Sequence, residues 1–157
     1  MRSIGGLQPR FAVDSSVLIE YIVESAPLRD RAAKLLEKAS TGILKLYVSP
    51  VTLSETLHVA SRIYRAADVE DYNDEAYRYI LWVKARTELV EAGWDIAVRA
   101  GELRKMLGIA LPDCYVIATA EEVEAEPLYA AVEDEMKPIL NRMKGLRTAF
   151  LEELEGI

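Results

Sequence analysis

The chain has 157 residues, which is the length of one ordinary domain. Hydrophobic residues make up 51% and charged residues 29%, which excludes a disordered chain, and no apolar run approaches the roughly 18 residues that a membrane span needs. With 19 lysines and arginines against 26 acidic residues, the net charge of −7 argues against a nonspecific nucleic-acid coat but is compatible with an enzyme whose acidic groups hold metal ions.

Residues 1–10, with two glycines and a proline, predict a flexible lead-in, and residues 11–157 predict a single domain. The lead-in has no apolar segment of the kind found in secretory signals. Cys114 is the only cysteine, which excludes an intramolecular disulfide and favours the reducing cytoplasm.

Strand and helix patterns alternate along the chain. Strands are predicted at Phe11–Val13, Leu44–Val48, Leu89–Glu91 and Leu128–Val132. Helices are predicted over Val17–Val23, Leu28–Ala39, Pro50–Tyr64, Glu70–Arg86, Asp95–Leu107, Pro112–Val123 and, as a C-terminal amphipathic helix, Met136–Leu154. This order predicts a three-layer α/β/α sandwich around a central parallel sheet of about four strands.

Open parallel sheets bind ligands at the carboxyl ends of their strands, and four acidic residues are predicted at that edge. Asp14 follows the first strand, Glu55 lies early in the helix after the second strand, and Glu133 follows the last strand. Asp113 begins the helix that precedes the last strand, and a parallel crossover requires that helix to start at the same edge. The four carboxylates are therefore predicted to converge.

Each acid also has a purely structural interpretation. Asp14 can cap a helix, and Glu133 can begin a solvated helix. Glu55 closes a capping box if its helix starts near Thr52, whereas a start at Ser49–Pro50 places it one turn inside the helix. Asp113 shares a face with apolar residues, which a helix cap has no reason to do.

Carboxylates that share a small volume repel each other unless a cation or a proton lies among them. Oxygen-only ligands select Mg²⁺ or Mn²⁺ rather than zinc. Such a site suits metal-assisted hydrolysis of phosphodiesters, and Ser16 is placed to hydrogen-bond a carboxylate or a bound water.

Three segments together resemble the PIN-domain ribonucleases. They are Phe11–Ile19 (FAVDSSVLI), Leu53–Leu57 (LSETL) and Leu111–Ala120 (LPDCYVIATA), in the family's order. They are similar to the family's first-strand Asp, its helical Glu and its Asp before the last strand. The resemblance spans about residues 11 to 140.

The resemblance implies an Mg²⁺- or Mn²⁺-dependent endoribonuclease, often a homodimer, with Asp14, Glu55, Asp113 and Glu133 as metal ligands and catalytic residues. Many short members are VapC-type toxins held inactive by a small antitoxin protein. The chain departs from the family after the last strand, where no Ser or Thr precedes the fourth acid. Glu133 matches by register, while Asp134 and Glu135 remain alternatives.

Other residues carry weaker signals. His58, the only histidine, is interpreted as a packed or surface residue, and Cys114 as a small core residue. Two sets of residues have an open interpretation. One set of basic residues either contacts RNA phosphates or consists of scattered surface charges: Arg62, Arg65, Arg99, Arg104 and Lys105. One set of aromatic residues lies either at a dimer surface or in the core: Tyr64, Tyr72, Tyr77, Tyr79 and Trp82.

Three alternative functions remain at this point. An aspartate-nucleophile phosphatase also begins with a strand and an Asp, but it needs a second Asp where this chain has Ser16, and a Lys that Lys137 matches only loosely. A catalytically degenerate PIN-like module would bind RNA or protein without cleavage. An RNA-processing nuclease would have the same chemistry without a toxin role.

Overall fold

The computed structural model describes residues 7–157, and it has a central sheet of five parallel strands in the order β3-β2-β1-β4-β5. The strands are β1 (Arg10–Val13), β2 (Lys45–Val48), β3 (Glu88–Leu89), β4 (Glu126–Tyr129) and β5 (Ala149–Phe150). The helices are α1 (Ser15–Ile22), α2 (Arg29–Ser40), α3 (Pro50–Ala66), α4 (Tyr72–Lys84), α5 (Trp94–Leu107), α6 (Leu111–Glu122) and α7 (Leu140–Gly145). Short 3-10 turns cover Lys137–Ile139 and Leu151–Glu153. The predicted α/β/α architecture is confirmed, with five strands rather than about four.

Alternate residues of the inner strands face two different cores, as strand geometry requires. Phe11, Val13 and Leu46 pack with α1 to α4 on one face of the sheet. Ala12 and Tyr47 face the other side, and Tyr129 packs there with α5, α6 and α7. Burial on both faces explains why each of the inner strands β1, β2 and β4 has three consecutive buried residues.

The predicted C-terminal helix over Met136–Leu154 is wrong. The helical part, α7, ends at Gly145, and Arg147 adopts a left-handed backbone (φ 65°) that turns the chain back to the sheet. Ala149 and Phe150 then pair with β4 as the edge strand β5. The apolar spacing that suggested one helix instead buries Met143 and Phe150 from two separate elements.

Other boundaries also differ from the prediction, and the third strand, predicted over Leu89–Glu91, is β3 at Glu88–Leu89. Arg10, predicted to be in the lead-in, is the first residue of β1 and pairs with Lys45, while residues 1–6 lie outside the described residues. The last predicted strand, Leu128–Val132, instead ends at Tyr129 as β4. Three residues therefore separate β4 from Glu133.

The sheet places a ligand-binding edge next to β1. Its two neighbours, β2 and β4, lie on opposite sides of it, and the connections leave in opposite directions. This reversal opens a crevice at the carboxyl edge. Asp14 follows β1 directly at this point.

Candidate active site

Asp14 has both of the roles considered for it, as a helix cap and as a residue of the crevice. It is the N-cap of α1, and its Oδ2 accepts a hydrogen bond of 3.0 Å from the Ser16 amide. Its own amide donates to the Leu128 carbonyl at 2.9 Å, which fixes it between β1 and β4. The residue is only 4% exposed. Burial raises the pKa of Asp14, and hydrogen bonds from Ser16 and Ser15 partly oppose that rise.

Glu55 reaches the crevice from the second turn of α3. The helix begins at Pro50, and the Ser49 side chain caps it by accepting from the Thr52 amide at 3.1 Å, so the alternative start near Thr52 is excluded. Ser15 donates to Glu55 Oε1 at 3.1 Å. Burial, and then the charge of Asp14, raise the pKa of this half-buried carboxyl.

Asp113 lies in the first turn of α6 and is 7% exposed. The hydroxyl of the fully buried Tyr129 donates to its backbone carbonyl at 2.6 Å, which ties the start of α6 to β4. Burial is the main reason why the pKa of Asp113 rises to about 8, and Asp14, Glu133 and Glu135 add to it.

The segment after β4 brings two acids, and not one, to Asp113. One carboxylate oxygen from each of Asp113, Glu133 and Glu135 lies within 4.8 Å of the others. Burial first, and then Asp14 and Glu135, raise the pKa of Glu133. Asp134 points away: its side chain is 97% exposed and pairs with Lys137 at 2.7 Å, which lowers its pKa.

One open cavity of about 300 Å³ is lined by five acids: Asp14, Glu55, Asp113, Glu133 and Glu135. Its other lining residues are Ser15, Ser16, Ile19, Val59, Ala110 and Pro112. Within residues 7–157, no lysine, arginine or histidine lines it. A larger cavity of about 500 Å³ lies at the opposite edge of the sheet, but Arg10 and Arg147 offset the acids there.

The donor set fits a hard divalent cation. The five ionisable side chains of the cavity are all carboxylates, and among residues 7–157 no basic side chain lines it beside the two most buried acids, Asp14 and Asp113. Burial raises the pKa values of four of them, and repulsion by neighbouring carboxylates adds to the rise at Glu55, Asp113 and Glu133, so the cavity favours any cation that neutralises it. Asp14, Glu55, Asp113 and Glu133 are the predicted ligands, and Glu135 is a candidate fifth.

The role of Ser15 was not predicted from the sequence, where its only signal is its place directly after Asp14. Ser16 was predicted to hydrogen-bond a carboxylate or a bound water, and its amide does donate to the Asp14 carboxylate. The Ser16 hydroxyl, however, accepts a hydrogen bond from the Ala130 amide at 3.1 Å. The hydroxyl thus joins α1 to the segment after β4.

The remaining candidate residues lie outside the cavity. His58 is exposed. Cys114 is buried, and burial raises the pKa of its thiol to about 11, as expected for a core cysteine. Arg99 pairs with Glu121 at 2.8 Å, and Arg104 caps the end of α5 through the Gly108 and Ile109 carbonyls.

The aromatic residues divide between core and surface. Tyr21, Trp82 and Tyr79 stack on one another inside the α1–α4 side, with ring centroids 4.8 Å apart for Tyr21 and Trp82. Tyr79 also donates to the Leu18 carbonyl at 2.5 Å. Tyr77 is exposed on α4.

Solved structures of low sequence identity share this fold. A chain of the DNA-bound VapBC of Salmonella typhimurium aligns with a TM-score of 0.65 and 13% identity, over 92% of this chain and 99% of that one. A chain of the promoter-bound VapBC2 of Rickettsia felis aligns with a TM-score of 0.60 and 16% identity, over 82% and 92%. A chain of a Klebsiella pneumoniae toxin-antitoxin complex aligns with a TM-score of 0.58 and 20% identity, over 79% and 88%. No curated protein matches the chain significantly.

Among the described residues, no helix is both long and apolar enough to cross a membrane. The family model described as "PIN domain" matches residues 11–135, which include the five acids of the cavity. Together with the fold, that match confirms the family that the sequence motifs indicated: the chain belongs to the PIN domain family.

Proposed function

We propose that this protein is a metal-dependent endoribonuclease that hydrolyses RNA phosphodiester bonds with Mg²⁺ or Mn²⁺. The observation that carries the proposal is the convergence of five carboxylates in one cavity of a PIN domain, without a basic side chain from residues 7–157. A divalent ion held there supplies Lewis-acid stabilisation of the charge that develops on a phosphodiester during hydrolysis.

The protein's own residues would prepare the site before any ion binds. Hydrogen bonds from Ser16 to Asp14 and from Ser15 to Glu55 orient one oxygen of each carboxylate. Ile19 and Val59 form an apolar part of the cavity wall. Asp14 and Asp113 are the best buried of the acids, so we assign them the greatest contribution to metal affinity.

The direct test compares RNA cleavage by the wild type with cleavage by Asp14→Asn and Asp113→Asn. The matched control is Asp134→Asn, because Asp134 lies in the same acidic run but points to solvent. We expect Mn²⁺-dependent cleavage of single-stranded RNA by the wild type and the control, and a loss of at least about 100-fold in the two site variants, in line with the loss of a main electrostatic contribution to catalysis. Cleavage at the wild-type rate by both site variants would contradict the proposal.

The phosphatase alternative has little support at this site. The position two residues after Asp14 is Ser16, whose hydroxyl bonds the Ala130 amide. Lys137, the lysine that such a mechanism would need, is exposed and paired with Asp134.

If the chain is instead a PIN-like module that only binds RNA or protein, it should not bind Mn²⁺, which calorimetry measures directly.

We also propose that the protein is the toxin of a VapBC-type pair and acts in the cytoplasm. The fold shared with chains of VapBC complexes supports this assignment. An antitoxin that places Arg or Lys in the acidic cavity would fit its charge. Expression of this protein alone should arrest growth, and co-expression with the protein encoded by the neighbouring gene should restore it. If the protein cleaves RNA but does not arrest growth, an RNA-processing nuclease is favoured.

We propose further that residues 11–157 act as one domain that forms a homodimer. Tyr77 and Leu81, one turn apart on α4, expose apolar surface that a second copy would cover. Light scattering should give twice the mass of one chain, and Leu81→Lys should lower it. A monomeric wild type would contradict this proposal.

A further inference from the structure

The segment Ala130–Val132, which connects β4 to Glu133, is held by hydrogen bonds from two sides. On one side, the Ala130 amide donates to Ser16 Oγ at 3.1 Å. On the other side, the Glu152 amide donates to the Ala130 carbonyl and the Val132 amide donates to Glu152 Oε1, both at 3.1 Å. Three backbone groups of this segment are thus fixed just before Glu133.

Glu152 is itself held by a rigid framework. It lies in the 3-10 turn Leu151–Glu153, directly after β5, which pairs with β4. Leu151 is buried, and Arg31 of α2 donates to the carbonyls of Leu151 and Leu154 at 3.1 and 2.6 Å. The turn is therefore anchored both to the sheet and to α2.

Glu133 depends on this support more than Asp14 and Glu55 do. Asp14 and Glu55 each have a hydrogen bond to their carboxylate, whereas the side-chain hydrogen bonds within residues 7–157 include none to the Glu133 carboxylate. Its place in the cavity therefore depends on where its backbone lies. Glu133 directly follows Val132, whose amide donates to Glu152 Oε1.

We propose that Glu152 is a positioning residue for the metal site: its carboxylate holds the Val132 amide and so places Glu133 against Asp113. Glu152 does not line the cavity and is not a ligand. The proposal rests on the proposed metal-dependent function and deepens it. It also gives the C-terminal turn a role in a site from which it contributes no side chain.

The test is Mn²⁺ affinity by calorimetry, with five variants beside the wild type. Glu152→Ala removes the acceptor, while Glu152→Gln keeps an oxygen that can accept from Val132. Glu153→Ala is the matched control, because Glu153 is the adjacent exposed acid. The double variant Glu133→Ala/Glu152→Ala, compared with Glu133→Ala, shows whether Glu152 acts through Glu133.

We expect Glu152→Ala to weaken Mn²⁺ binding by about threefold to tenfold, the size expected from the loss of one hydrogen bond. Glu152→Gln and Glu153→Ala should stay within about twofold of the wild type, and Glu152→Ala should add nothing once Glu133 is absent. The Val132 and Glu133 amide resonances should move in Glu152→Ala and not in Glu153→Ala.

Four results would overturn the inference. The first is wild-type Mn²⁺ affinity in Glu152→Ala, and the second is a Glu152→Ala effect on Mn²⁺ affinity that is equally large in the wild type and in Glu133→Ala. The third is a loss of Mn²⁺ affinity in Glu152→Gln as large as that in Glu152→Ala. The fourth is unfolding of Glu152→Ala, which would assign the contact to the fold as a whole. A wild type that binds no Mn²⁺ would instead refute the proposed function itself, and this inference with it. The first four results leave the proposed function standing.

Discussion

Replacement of Asp113 by Asn should stabilise the metal-free protein at neutral and alkaline pH. Asp113 has a pKa of about 8 in the folded chain, against about 3.9 in an unfolded one. At a pH between these two pKa values, Asp113 keeps its proton in the folded chain and has released it in the unfolded chain. The stability linked to this group is therefore complete below about pH 4 and is lost as the pH rises through about 8.

The magnitude follows from the size of that shift. One pKa unit corresponds to about 1.36 kcal/mol, so the shift sets an upper limit of about 5–6 kcal/mol on the free energy lost between pH 4 and pH 8. Asp14, Glu133 and Glu135 share the same repulsion, and we assign about 2–4 kcal/mol of the free energy of unfolding to Asp113 itself. Asn has the shape of Asp without the charge and should recover that amount at pH 8.

The assay is urea unfolding in the presence of a chelator, at pH 5 and pH 8. The wild type should be less stable at pH 8 than at pH 5, and Asp113→Asn should remove most of the difference. Asp134→Asn is the control, because the pKa of Asp134 is lowered by Lys137 and not raised. A wild-type stability that is flat or rises from pH 5 to pH 8, or an Asp113→Asn protein less stable than the wild type at pH 8, would refute this reasoning.

Three other substitutions test separate parts of the account. Ser15→Ala removes the donor to Glu55, so the pKa of Glu55 should rise further and Mn²⁺ affinity should fall by about threefold at pH 6 in calorimetry; unchanged affinity would contradict the orienting role of the hydroxyl. Tyr129→Phe deletes a fully buried hydroxyl and its bond to the Asp113 carbonyl, which should lower the free energy of unfolding by about 1 kcal/mol in urea titrations, whereas no loss would show that the bond adds nothing. Glu124→Gly should raise that free energy by about 0.5–1 kcal/mol, because Glu124 adopts a left-handed φ of 53° after the end of α6; a decrease would count against strain at this cap.

The parts of the fold that follow from local sequence were predictable. The apolar run before Asp14 indicates β1, and Asp14 caps the helix that follows it. The Ser49–Pro50 pair specifies the start of α3, with Ser49 as the cap and Pro50 as the first helical residue. The order of strands and helices then places Asp14, Glu55 and Asp113 on one edge, because parallel connections leave no other choice. The cavity contains all three.

The C-terminal part was not predictable in the same way. Ala149–Phe150 is a two-residue edge strand whose formation depends on pairing with β4, and the local apolar spacing fits a helix equally well. The choice among Glu133, Asp134 and Glu135 depends on the conformation of the segment after β4, which is held by Ser16 and Glu152 from distant parts of the chain. Both features are set by tertiary contacts.

The central claim is that the acidic cavity holds a divalent ion that is used to cleave RNA. Its most direct test is the rate of single-stranded RNA cleavage measured against Mn²⁺ concentration for the wild type, Asp113→Asn and Asp134→Asn. We predict saturable, Mn²⁺-dependent cleavage by the wild type and Asp134→Asn, with cleavage by Asp113→Asn reduced at least about 100-fold. Cleavage that does not depend on Mn²⁺ or Mg²⁺, or that continues unchanged in Asp113→Asn, would contradict it.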